Sequence, residues 1–240
     1  MSASNTARSR TRKRAKKAPA RTTRGASRRG IGRPAAGPQV VGREALIART
    51  CELLTQLPPN RITRAEVARH MGVDPSLIRY YFRDRSMLLL AAVEKLTGEF
   101  SQILEQELQQ AGPGPENALR ARVSALLKFE ITYPFFHRLL VDEFINLNSP
   151  AATRFLQQLT GNAVAGYNAI LESGRSSGVF RRAEGPLLFL AVVGMCEFFI
   201  NGMPILRQAL GKAFDERGAS TRYREFICDL LVNGLRTAEG

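Results

Sequence analysis

Taken as a string of apolar and polar positions, the chain divides into a polar opening and a long succession of helical stripes. From Arg43 on, Ile47, Cys51 and Leu54 fall at i, i+4 and i+7, one face of a helix that Pro58-Pro59 ends. After Asp84, which caps the next long helix, Leu89, Val93, Leu96, Phe100 and Ile103 recur every three to four residues until Gly112 to Pro115 breaks the pattern. Beyond that break the pattern predicts helices near 116–132, 135–147, 150–174, 186–210 and 219–236. Pro134, Ser149-Pro150, Gly174 to Gly178 and Gly185-Pro186 separate the first four. No run alternates with period two for long enough to make a sheet strand. The predicted fold class is all-α.

Between the first stripe and the long one, residues Thr63 to Phe82 hold two helix starts with a tight turn between them. Thr63 and Glu66 have the spacing of a capping box, and Ile62 with Val67 has that of a hydrophobic staple. Asp74 is a second N-cap, Pro75 fills the first helical position, and Val73 with Ile78 repeats the staple. Gly72 supplies the positive φ that ends one helix and starts a sharp turn. Ala68, four residues before that glycine, lets two helices cross closely, and Ile78 is placed to bury against the first of them. The pattern predicts a helix-turn-helix, whose second helix reads DNA; a plain helical hairpin shares its caps and staples.

Charge sharpens the picture. Residues 1–38 contain 12 Lys/Arg and no Asp/Glu, residues 39–90 contain 8 and 5, and residues 91–240 contain 15 and 16, within a formal net charge of +14. The excess positive charge therefore belongs to a basic tail and a small domain, which implies a polyanionic partner, most simply double-stranded DNA. The tail's composition predicts disorder. Its Gly32-Arg33-Pro34 resembles part of an AT-hook, which would place Arg33 in a narrow minor groove, but Ile31 interrupts the pattern and leaves loose phosphate contact open. Cys51, Cys196 and Cys228 are scattered and sit in apolar stretches, as expected of reduced thiols in a cytoplasmic protein. The basic opening has no apolar core and is not a secretory signal. Leu187 to Leu206 is nearly long enough to cross a membrane, yet Glu197, Asn201 and Pro204 interrupt it, so burial inside the protein and against a second copy is expected instead. Only His70 and His137 are present, and no metalloprotease, nucleophile-elbow or phosphate-loop motif appears. No catalysis, metal or cofactor is expected.

With the two caps, the turn and Tyr80-Tyr81-Phe82 in view, residues 43–96 resemble the DNA-binding domain of the TetR family of transcriptional regulators. The carrying residues run Val73-Asp74-Pro75-Ser76-Leu77-Ile78-Arg79-Tyr80-Tyr81-Phe82-Arg83, then Asp84-Arg85 and Met87-Leu88. Arg79 stands where the family has an aromatic residue and Leu77 where it has threonine, so the bases read should differ. Gly178-Val179-Phe180-Arg181, before the long apolar helix, looks like a recurring feature of the family's larger domain. The resemblance implies three parts: a tail over 1–38, a helix-turn-helix domain over 39–90, and an all-helical effector-binding and dimerisation domain over 91–240.

The expected DNA contacts follow from these two sources. Asp74 and Pro75 open the recognition helix, Ser76, Leu77 and Arg79 lie toward base edges, and Tyr80 and Tyr81 offer hydroxyls to phosphates. Thr63 and Arg64 open the supporting helix near a phosphate, and Arg83 and Arg85 grip the backbone. The resemblance further implies a pocket, with Phe129, Tyr133, Phe136, Phe144, Phe155, Tyr167, Phe189 and Met195 as candidate walls for a small hydrophobic or aromatic effector. It also implies a homodimer, with Leu187, Leu190, Phe198, Phe226, Leu230 and Val232 as candidate contacts. Arg138, Asp142 and Glu143 are expected on a solvated helix face. The leading expectation is a ligand-responsive repressor acting as a dimer on a pseudo-palindrome. The alternatives are a nucleoid-type DNA protein that binds mainly through its tail, and a helical enzyme with an unused motif.

Overall fold

The computed structural model describes residues 41–145, 149–211 and 217–237. The expectations for residues 1–38, Arg33 among them, lie outside those residues. Among the described residues the chain forms α1 (Arg43–Leu54), α2 (Arg64–Met71), α3 (Pro75–Tyr81), α4 (Arg85–Ala111), α5 (Pro115–Thr132), α6 (Phe136–Leu139), α7 (Pro150–Ser176), α8 (Gly185–Leu210) and α9 (Ala219–Leu235). The one β feature among them is an isolated antiparallel bridge between Phe180 and Arg236.

Side-chain caps account for where several helices begin. The side chains of Thr63, Asp74, Asp84 and Ser149 accept from the backbone N–H groups of Glu66, Ser76, Met87 and Ala152, opening α2, α3, α4 and α7. The predicted helix over 135–147 is instead the short α6 followed by a wider π-helical turn, Leu140–Ile145. Within that turn Phe144 is fully buried and Glu143 reaches Arg85 on α4.

The helices enclose two apolar clusters. One runs from α1, α2, α3 and the first half of α4 to Phe129 of α5, Leu139, Phe144 and Ala152 of α7. The reading head and the body therefore share packing, with the 27-residue α4 passing through both. The second cluster joins α5, α7, α8 and α9 around Leu119, Val123, Leu127, Tyr167, Val192 and Ile227. Phe180 locks its edge. Gly178 turns the chain at φ +75°, and a Cβ on Gly174 would lie 2.1 Å from the Phe180 ring, so only glycine admits that ring. Arg181 N–H then donates to the Leu235 carbonyl at 2.7 Å, tying the α7–α8 connection to the end of α9.

Candidate nucleic-acid interface

The motif folds as its caps require. Thr63 Oγ1 accepts from Glu66 N–H at 3.0 Å, but the return half of the capping box is absent. Glu66 instead grips Arg69 with both carboxylate oxygens, at 2.6 and 3.2 Å. That hydrogen bond first, and then the arginine's charge, hold Glu66 below the usual carboxylate range. Gly72 ends α2 in the left-handed region at φ 64°. Val67, Ala68 and Ile78 are all buried where α2 and α3 cross. Asp74 Oδ1 accepts from Ser76 N–H at 2.7 Å, and hydrogen bonding to Ser76 keeps its carboxyl ionised below the usual range. Asp74 thus starts α3 and orients the reading helix, and a carboxylate offers a phosphate no donor.

With Ile78 buried, the opposite side of α3 is set. Ser76, Arg79 and Tyr80 fall at i, i+3 and i+4 and are exposed; Arg83, two residues past the end of the helix, is exposed too. Tyr80 is 80% exposed and meets the Tyr81 ring edge-on at 5.0 Å. Tyr81 packs partly against the core and Phe82 is buried, with the Arg43 guanidinium 5.3 Å from its ring centre. Leu77 is half-buried and Pro75 exposed. Arg64 donates to the Arg83 carbonyl at 2.9 Å, bracing the exit of α3. The result is a short, uncovered helix carrying a hydroxyl, a phenol and a guanidinium, with Arg83 just past its end: donors suited to phosphates and purine edges.

Arg85 departs from expectation. Its Nε donates to the Ile62 carbonyl at 2.7 Å and its Nη2 to the Pro59 carbonyl at 2.5 Å. Its Nη1 and Nη2 also clamp the Glu143 carboxylate at 2.5 and 2.9 Å. A guanidinium used in this way ties the reading head to the body and does not grip DNA. Glu143, expected on a solvated face, is correspondingly mostly buried, whereas Arg138 and Asp142 do pair on the surface at 2.9 Å.

In the body, the eight aromatic and apolar candidates do not wall a single pocket. Phe129, Tyr133, Phe136, Phe144 and Phe155 belong to the cluster shared with the head, and Tyr167, Phe189 and Met195 to the other. Phe129 sits among Phe100, Tyr133 and Phe136 at ring distances of 5.4, 5.1 and 4.9 Å, and Tyr133 donates to Glu99 at 2.7 Å. These rings fill the core, where large aromatic groups contribute most. Two clefts, of about 480 and 310 Å³, are lined by other residues, mostly polar or charged. The dimer candidates divide more simply. Leu187, Leu190, Phe198, Phe226 and Leu230 are all more than half exposed, as is Ile205, which sequence spacing had not singled out. Val232 is fully buried within its own chain and is a core residue rather than a contact.

The roles of two residues were missed in the sequence reading, Glu143 by misplacement and Glu130 altogether. Glu143 has no local signal, since its partner lies 58 positions away. Glu130 did have one: it continues the Leu119, Val123, Leu127 stripe of α5 as an acid on an apolar face.

A capped α2, a glycine turn and an uncovered α3 define a helix-turn-helix DNA-binding protein. Residues 113–240 match the family model described as "Tetracyclin repressor-like, C-terminal domain". Over 162 residues the chain is 28% identical to the HTH-type transcriptional repressor NicS of Pseudomonas putida, covering 67% of this chain and 76% of that one. The ketosteroid transcriptional regulator KstR2 of Mycobacterium tuberculosis superposes with a TM-score of 0.61 at 11% identity, covering 83% of this chain and 97% of that one. AibR, solved in complex with isovaleryl coenzyme A and operator DNA, superposes with a TM-score of 0.60 at 12% identity, over 78% and 96% of the two chains. At such identities the two structures speak to fold alone; the family match, over more than half the chain, speaks to kinship. The chain belongs to the TetR family of transcriptional regulators, and is a DNA-binding regulator rather than an enzyme.

Proposed function

We propose that the protein is a cytoplasmic, ligand-responsive repressor that binds a pseudo-palindromic operator as a homodimer. The observation that carries this reading is the pairing of two uncovered surfaces on one chain. One is the polar face of α3 with Ser76, Arg79 and Tyr80, followed by the exposed Arg83; the other is an apolar stripe on α8 and α9. Leu187, Leu190, Phe198 and Ile205 follow helical spacing along α8, and Phe226 and Leu230 do so on α9. Bulky apolar groups left in water on two adjoining helices call for a partner, and a second copy buries the same stripe on both sides.

A helix of seven residues reads only a few base pairs, so two copies are needed for specificity. The half-sites then lie about one helical turn, roughly 34–36 Å, apart. Arg79 forks onto a guanine, Tyr80 and Arg83 hold phosphates, and Thr63 and Arg64 fix the backbone beside α2. The 12 Lys/Arg of residues 1–38 add attraction that does not depend on sequence.

Ligand response follows from how head and body are joined. The Arg85–Glu143 clamp fastens Pro59 and Ile62, at the entry to α2, to the π-helical turn of the body. A small molecule that binds the body and shifts that turn changes the spacing of the two heads, favouring a state that no longer fits successive grooves. AibR was solved with both a coenzyme A thioester and operator DNA, so a relative with the same fold holds both kinds of partner.

Selection from random duplexes tests this reading. Enrichment of one motif with two inverted half-sites is the expected result. Retention of every duplex alike, with affinity lost when residues 1–38 are removed, would instead support a nucleoid-type protein acting through its tail.

A further inference from the structure

The connection between α7 and α8 is held at both ends. Besides the bond from Arg181 N–H to Leu235, Thr237 just past α9 donates its N–H to the Val179 carbonyl at 3.1 Å. Its hydroxyl donates to the Gly178 carbonyl at 3.0 Å. At the other end, a Cβ on Gly185 would lie 2.1 Å from Asn168 Oδ1, so only glycine lets the first turn of α8 seat this closely on α7. That turn has no side-chain cap.

The cleft of about 480 Å³ lies against this connection. Arg175 of α7 and Arg181 and Arg182 of the connection line it together, and Glu172 is the one acid among its lining residues. Among the described residues the Arg182 side chain makes no hydrogen bond or ion pair. Arg181 engages only Nε, on the Gly234 carbonyl at 2.8 Å. Arg175 engages Nε and Nη2, on Glu172 at 3.0 and 2.6 Å, and Glu172 also accepts from the Ser176 hydroxyl. A guanidinium has five N–H donors, so each of the three arginines keeps donors with no protein partner. Only Leu171 and Ala183 add apolar surface, so the lining suits an anion rather than an oily molecule.

We propose that this cleft binds a small molecule carrying two linked phosphate groups, a diphosphate or one of its esters. The inference goes beyond the repressor reading and does not depend on it. Guanidinium forks match phosphate oxygens two at a time, and two linked phosphates have oxygens enough for three forks, where a lone carboxylate meets one. The uncapped first turn of α8, seated on Asn168 beside the cleft, adds the positive end of its dipole. With the connection already tied at both ends, binding has little backbone to order. The site is also remote from the reading head. α7 joins the head's cluster at Ala152, and Arg175 stands about 35 Å further along the helix at 1.5 Å per residue. A concave space of this volume takes a small molecule and not a duplex.

The test is calorimetric titration of the full chain with sodium pyrophosphate at physiological salt, with orthophosphate and sulfate at matched ionic strength as controls. The expected result is saturable binding of one pyrophosphate per chain, weakened about tenfold by Arg182→Ala and further when Arg175→Ala is added. Both side chains are exposed, and a thermal melt confirms that the variants are folded. Operator affinity should stay as in wild type. Phenylglyoxal labelling of arginines, read peptide by peptide, locates the site: pyrophosphate should shield Arg175, Arg181 and Arg182 and leave Arg79 reactive. Binding that neither substitution weakens, or equal shielding of arginines throughout the chain, assigns the effect to the basic residues 1–38 or to general charge and overturns the proposal. Orthophosphate or sulfate binding as tightly overturns it too, as does no binding of pyrophosphate. A loss of duplex affinity in the double variant would make the cleft a nucleic-acid contact and overturn it as well.

Discussion

Arg79 and Arg85 lie six positions apart, and both had been read as DNA contacts; their surroundings give them different work. Arg79 stands exposed on α3 with its fork free to meet a guanine, so Arg79→Ala should cost about 1–3 kcal/mol at the true operator and relax preference at one base pair. Titration against the operator and its single-base variants checks this; an equal loss on unrelated duplexes would make Arg79 a phosphate contact. Arg85→Ala should act on the fold, leaving the mostly buried Glu143 without its counter-charge and costing about 1–3 kcal/mol of stability. Denaturant melts measure that loss, and the salt slope of DNA affinity should stay as in wild type, since no phosphate contact has gone. The exposed side of α3 was legible because it is fixed locally, by the phase of Ile78. The role of Arg85 was not, because it is decided by a carboxylate from a distant helix.

For single elements, the starts of α2 and α3 could be read directly from Thr63, Gly72 and Asp74, since a cap bonds to an amide two or three residues away. Gly72→Ala forces a Cβ into the left-handed region at φ 64° and should destabilise the motif by about 1–2 kcal/mol, read as a lowered urea midpoint. The π-helical turn gave no such signal; an extra residue in a turn is tolerated for what it packs and pairs, here Phe144 and Arg85. Glu130 predicts a pH dependence of stability. Below its ordinary value of 4.5 both folded and unfolded chains hold the proton. Between there and about 8 the unfolded chain ionises first, so stability should fall with rising pH by up to about 1.4 kcal/mol per unit and then level off. Urea melts from pH 5 to pH 8 should show this slope and its flattening in Glu130→Gln; parallel slopes for the two proteins would place the titration elsewhere.

Across the whole molecule, the apolar stripe on α8 and α9 decides whether one chain suffices. The sequence showed that α8 is too apolar for water on all sides and picked out Phe226 and Leu230 on α9, but it took the folded core to turn Val232 inward. Ile227, Cys228, Leu231, Val232 and Leu235 turn inward, leaving Phe226 and Leu230 outward. Replacing Leu190 and Phe198 together by Asp should give a folded monomer in sedimentation equilibrium, with operator affinity reduced to the level of unrelated DNA. A dimer that persists would place the interface on another surface. The claim on which everything else depends is that the outer face of α3 enters the major groove, once from each of two copies. Dimethyl sulfate protection of guanine N7 on the selected operator observes that groove directly. The account predicts two protected patches about one helical turn apart, fading in Arg79→Ala. Full reactivity of every guanine on a duplex that is nonetheless bound would contradict it.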